Sequence, residues 1–205
     1  METGEIRDGT IGKATDAPRR GTPAPAPRPP PLPGGCSLSN SNAPHATLPV
    51  RPTDRAVRAG CQALAGLWWL LGLRRAAAVL RHYLSGTGDP YVLDVTTLAA
   101  LPPVRAAVNA RLMAAETGAW SGTDDWRGIE IAASTSLDWW LAVRGIQYRV
   151  VRPNPRYYRV EFRKTWNFDR GECGFGIPFT PFARLHETGL AREFTATGRT
   201  GYLPR

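Results

Sequence analysis

Tyr157-Tyr158-Arg159-Val160-Glu161-Phe162-Arg163-Lys164-Thr165-Trp166 is the stretch that decides the fold class. Tyr158, Val160 and Phe162 fall on one side, and Arg159, Glu161 and Arg163 on the other. Successive side chains of a strand point to opposite faces, so this is a strand with one apolar and one charged face. Such strands belong to antiparallel sheets that bury one face and wet the other. Upstream, Pro153-Asn154-Pro155 breaks the chain, and Arg144-Gly145 reads as a tight turn into a strand over 146–151. Residues 129–133 and 138–143 are further strand candidates, the second rich in Trp and Leu. Consecutive strands with short connections predict a meander.

Helical signals flank this region. Residues 55–84 form the first candidate, and Ala59 to Leu73 carries no formal charge. A membrane-spanning helix needs about 20 apolar residues, so this run is too short to span. Its Trp68-Trp69 pair lies mid-run, which favours a docked or core helix; contact with a membrane surface through Trp68 and Trp69 is the alternative. Ala76, Val79, Leu80, Tyr83 and Leu84 recur at helical spacing, and Gly86 and Asp89-Pro90 stop the helix. His82 lies beside that stripe as a surface residue. A short strand follows over 91–95, then a helix over 103–117 with Leu101, Val104, Val108, Leu112 and Ala115 on its apolar face. Asp124-Asp125 reads as a solvated turn. Thr180-Pro181 opens a short helix that Gly189 closes, and residues 190–195 read as a last strand. The expected fold is α+β: two or three helices packed on an antiparallel meander, in one domain over 55–200.

Residues 1–54 show no apolar periodicity. Pro23 to Pro33 is proline-rich, which favours extended polyproline II and buries nothing. A disordered Pro/Ala-rich tail is expected there. The start of the chain has no basic, apolar leader, so the expected location is the cytoplasm, or outside the cell by a route without a standard signal peptide. Three cysteines in 205 residues exclude a disulfide-stapled mini-protein.

The net charge is +9 and nearly all of the positive charge is arginine; lysine occurs at Lys13 and Lys164. Such a bias, with abundant Ala, Gly and Pro, fits a bacterial genome of high GC content. The densest basic run is Arg144 to Arg170. It attracts phosphate or an acidic partner, or it is a solvated sheet face.

No metal-ligand spacing, nucleophile elbow or phosphate loop occurs, so no metal or cofactor is expected. Gly171, Gly174 and Gly176 lack the strand-to-helix context of a dinucleotide fingerprint. Two catalytic sets remain. Cys173 with His186 would supply a nucleophile and a base. His186, Asp169, Glu161 and Arg163 would supply the acid, base and cation of a metal-independent phosphodiester cleavage. The binding candidates are Arg149, Arg159, Arg163 and Lys164, with Trp139 and Trp140; in a strand that tryptophan pair would face opposite ways. An exposed Trp beside Arg stacks on a base or seats a protein partner.

Four stretches carry a family resemblance: His82 to Gly88, Asp138 to Val143, Trp166 to Gly171, and Leu185 to Phe194. Their order and spacing resemble uncharacterised C-terminal modules of bacterial polymorphic toxins and related secreted proteins. The resemblance covers about residues 76–198. It implies an α+β toxin-like or effector-like module, often with an immunity protein as partner, and supplies no reaction. The competing expectations are a non-enzymatic module that binds a protein or membrane surface, and a nucleic-acid-binding domain using the Arg144–Arg170 face.

Overall fold

A computed structural model describes residues 42–174 and 177–205, and the expected tail over 1–41 lies outside them. In chain order the elements begin with α1 (Pro52–Leu70), α2 (Arg74–Ser85), β1 (Tyr91–Val92), α3 (Val95–Ala99) and α4 (Pro102–Glu116). Then come β2 (Gly122–Thr123), β3 (Arg127–Glu130), α5 (Leu137–Val143), β4 (Gly145–Asn154) and β5 (Tyr157–Trp166). The last are β6 (Cys173–Gly174), β7 (Ile177–Pro178), α6 (Thr180–Glu187), β8 (Phe194–Arg199) and β9 (Leu203–Pro204).

The alternating strand is the hub of a seven-stranded mixed sheet ordered β1-β8-β5-β4-β2, with β3 also on β4 and β9 also on β5. Strands β3, β4 and β5 pair antiparallel in succession, as the meander requires. Asn154 makes the β4–β5 turn: its Oδ1 accepts the Arg156 and Tyr157 N–H groups at 2.9 and 3.1 Å. Strand β1 pairs β8 in parallel. Val160, Phe162 and Trp166 of β5 are buried with Ile146, Tyr148 and Val150 of β4. Helix α2 packs against both α1 and α5, α6 packs against α1, and α4 covers β3 and β4. The class is α+β, with six helices where two or three were expected.

Several local expectations change, and the last strand, expected over 190–195, is β8 at Phe194–Arg199. The helix expected over 55–84 is two helices, broken at Gly72, whose φ of 81° ends α1. Residues 138–143 are the helix α5, not a strand. Ser136 caps it by accepting the Trp139 N–H, and Trp139, Ala142 and Val143 form a buried helical stripe. Asp138 then serves the start of α2, accepting the Ala76 N–H at 2.9 Å. Residues 42–54, expected in the tail, belong to the folded body. Ala46 N–H and Leu48 N–H donate to the His186 and Glu187 carbonyls, and α1 starts at Pro52.

Four carboxylates are sunk and paired. Asp54 meets Arg184 at 2.8 Å, Asp124 meets Arg111 at 2.6 Å, Glu161 meets Arg149 and Arg159 at 2.7 Å, and Glu187 meets Arg170. Asp124 is therefore a buried ion-paired group, not a solvated turn residue. Burial alone would raise these carboxyls, but their guanidinium and N–H partners outweigh it and hold each below its ordinary value. Their folded pKa values lie below the unfolded ones, so the stabilisation is present at neutral pH. It drains away as pH falls through the folded values, below about 4. Melting temperature followed from pH 7 downward should hold near neutrality and drop steeply in that acid range.

Candidate functional site

The apolar face of β5 runs Tyr158, Val160, Phe162, then Lys164, then Trp166. Strand alternation thus turns Lys164 toward the core side of the sheet, away from Arg163. There it opens into a cavity of about 260 Å³ walled by Trp68, Trp140, Phe168, Phe179 and Phe182, with Arg144, Asn167 and Glu172 as further polar lining. Ligand pockets run from about 300 Å³ upward, so this one takes a ring or a short chain rather than a whole large ligand.

Each wall has a local cause. Helix α1 brings Trp68 and Leu64, α5 brings Trp140 to Val143, and α6 brings Phe182. Phe168 stacks on Phe182 at 4.9 Å and meets Trp166 edge-on at 4.9 Å. Trp166 donates its Nε1–H to the Ala142 carbonyl at 2.7 Å, locking α5 to β5. Arg144 ends α5 at φ 46° and ψ −84°, a backbone conformation costly for any residue but glycine. Its guanidinium lies 6.0 Å from the Trp140 ring.

Lys164 donates to the Gly145 carbonyl at 2.9 Å. An ammonium carries three donors, and among the described residues this is its one hydrogen bond. Burial, reinforced by the charge of Arg144, pulls its pKa below the ordinary lysine value, while Glu172 and Asp169 act in the opposite sense. A cation desolvated in a cleft without a tight counter-ion marks a working site better than a paired one does. The arrangement can hold an anionic group at Lys164 and Arg144 while the aromatic wall takes an apolar body.

Of the residues singled out from sequence, Lys164 and Trp140 meet at this cavity. Trp139 is buried in the core, with Arg75 over its ring at 5.1 Å. Arg149, Arg159 and Arg163 lie on the opposite face of the sheet in a closed set of contacts. Glu161 takes Arg149 and Arg159, Arg163 donates to Gln147 at 2.8 Å, and Trp126 lies between Arg149 at 4.6 Å and Arg163 at 4.1 Å. Much of that basic face is therefore neutralised or occupied within the molecule.

Among the described residues, the hydrogen bonds and ion pairs of the four catalytic candidates go to other residues. Asp169 accepts both of its hydrogen bonds from Asn167 at 2.7 Å. His186 Nδ1 accepts the Glu193 N–H at 3.2 Å, and its ring lies 5.2 Å from His45. Burial lowers its pKa, helped by Arg192 and opposed by Glu187. Among the described residues no hydrogen bond or ion pair joins His186 to Glu161 or Arg163. Cys173 is disulfide-bonded, so it offers no thiol to His186. Cys61 is buried and its thiol is pushed up to about 11, which keeps it unreactive. No group of three or more His, Cys, Asp or Glu among the described residues could hold a metal ion.

Sequence reasoning missed Arg144, Phe168, Phe179, Phe182 and Glu172 as wall residues. It also grouped Lys164 with Arg163, although the alternation already separated them. A wider, shallower depression of about 380 Å³ at Arg58, Gln62, Arg81, Leu84 and Ser85 has neither an aromatic wall nor a buried charge.

No family model matches the sequence, and no curated protein matches it. A solved structure that aligns with it is PaeM, a colicin M-like bacteriocin produced by Pseudomonas aeruginosa, at 18% identity and a TM-score of 0.38. The alignment covers 63% of this chain and 49% of the bacteriocin, so this chain spans about half the length of that protein. It assigns no reaction here.

Proposed function

We propose that the chain is a toxin-like module whose working site is the Lys164 cavity, and that its ligand pairs an apolar or aromatic body with an anionic group. The observation that carries this is the placement of Lys164: a lysine on the buried face of the central strand, inside an aromatic wall, with donors to spare. The four stretches that resemble toxin modules also bear on it. Asp138 to Val143 and Trp166 to Gly171 supply part of the wall. Tyr83, from the first stretch, packs on Trp166 and Phe168 at 5.2 and 5.3 Å. Phe194, from the last, stacks on Trp166 at 5.6 Å. Residues far apart in sequence thus converge behind and around one cavity. The closed ion-pair set on the other sheet face makes the nucleic-acid reading the weaker one.

The test is induced expression of the full chain in a bacterial host, with and without an added secretion signal, followed by viable counts. Viability should fall in at least one arm. Lys164→Met should restore growth while the protein stays soluble and folded, and Arg163→Gln should still kill. Healthy growth in both arms with soluble wild-type protein, or killing that survives Lys164→Met, would overturn the reading.

A further inference from the structure

The turn between α1 and α2 leaves unusual surface uncovered. Leu67 is 51% exposed, Trp69 41%, Leu70 76% and Leu71 65%. Three of these are consecutive, at the turn of the α1–α2 hairpin. Among the described residues no helix is long and apolar enough to cross a membrane, so this is not part of a span. Along the chain, the segment that carries this surface bears charge of one sign. Residues 55–88 contain Arg55, Arg58, Arg74, Arg75 and Arg81 and no Asp or Glu. Arg75 is occupied by Asp94 and Asp138. Arg55, Arg74 and Arg81 are exposed, and Arg74 lies 4.0 Å over the Trp69 ring.

We infer that this hairpin tip docks on an anionic lipid surface, with Leu67, Trp69, Leu70 and Leu71 entering the headgroup–acyl boundary and Arg74 meeting the lipid phosphates. Leucine and tryptophan beside arginine is the composition of an interfacial anchor. The hairpin's one carboxylate, Asp54, is buried and paired with Arg184, so its exposed arginines are drawn to the negative surface potential of anionic lipids. The pair Trp68-Trp69 links the tip to the cavity, since Trp69 is on the exposed side and Trp68 lines the Lys164 wall. Docking at the tip would therefore set the cavity beside the bilayer. The purpose of docking rests on the cavity reading, but its test does not.

The experiment is flotation of the full chain with phosphatidylcholine vesicles, with and without phosphatidylglycerol. The wild type should float with the phosphatidylglycerol vesicles, less so in high salt, because exposed charges are screened beyond about 10 Å at 0.1 M salt. Leu70→Ser combined with Leu71→Ser should abolish flotation with an unchanged melting temperature. Arg74→Gln should weaken it, and Lys164→Met should float like the wild type, which keeps failure of the cavity reading distinct from failure of this one. Docking is overturned if the wild type stays at the bottom with phosphatidylglycerol vesicles, or if the double serine variant still floats. It is equally overturned if sedimentation shows a lipid-free dimer that the serine variant dissolves, because the tip would then be covered by a second copy.

Discussion

Glu187→Ala should lower the melting temperature by roughly 10 °C. Glu187 is wholly buried, and both of its carboxylate oxygens bind Arg170. One of them also accepts the Ala43 N–H at 2.9 Å. Removing one partner of a buried pair costs about 3–5 kcal/mol, because the other charge stays desolvated. Arg170 is 28% exposed at its side chain and recovers some hydration, so the lower end applies. At ~2–4 °C per kcal/mol for a domain of this size, that is the shift expected. The same substitution removes the side-chain tie between Glu187 and the Ala43 N–H, so protease should cut the chain near residue 43 first. The isosteric pair Glu187→Leu with Arg170→Met should recover part of the loss, since no charge is then left buried. A melting temperature within a degree of the wild type for Glu187→Ala would remove this pair from the account of stability.

Lys164→Met should do the reverse: remove function and leave stability equal or higher. The folded pKa of Lys164 lies below the unfolded one, so at neutral pH its ammonium costs stability, and that cost fades only as pH rises through the folded value. Methionine fills the same stem volume without a charge. Loss of the bond to the Gly145 carbonyl costs about 1 kcal/mol, which burial of the new apolar end offsets. A residue whose removal stabilises the fold is retained for what it does, and a costly group in a cleft fits that pattern. A drop of several degrees would instead make Lys164 a structural lysine. Anion binding at the site should also weaken as pH rises through the folded value of Lys164, which is reached before the ordinary lysine range.

The parts of the fold that local chemistry dictates were legible in the chain. The β5 alternation matches the strand to its ends, and the proline–glycine punctuation marked the neighbouring turns. The α5 segment reads as a strand when its residues are taken one by one, because Trp and Val favour strands. The deciding signal was positional: Ser136 at the cap, then apolar residues at helical spacing. The parallel pairing of β1 with β8 joins Tyr91 to Ala196, and no local pattern encodes so distant a partner. The order of residues 42–50 has the same origin, since it depends on hydrogen bonds to α6. At the site, the lysine on the apolar face of β5 was readable from the strand period alone. Its aromatic wall was not, because it is assembled from α1, α5, α6 and the loop after β5.

The most direct measurement is a fluorescence titration of the full chain with 8-anilinonaphthalene-1-sulfonate at neutral pH, beside its uncharged parent N-phenyl-1-naphthylamine. The probe joins an aromatic body to a single anionic group, the chemistry assigned to the cavity. The wild type should bind the sulfonate saturably and more tightly than the uncharged amine. Lys164→Met should erase that preference while staying folded, and Trp140→Ala should weaken both probes. Equal binding of the two probes by the wild type, or a sulfonate preference that persists in Lys164→Met, would contradict the assignment of the Lys164 cavity as the working site.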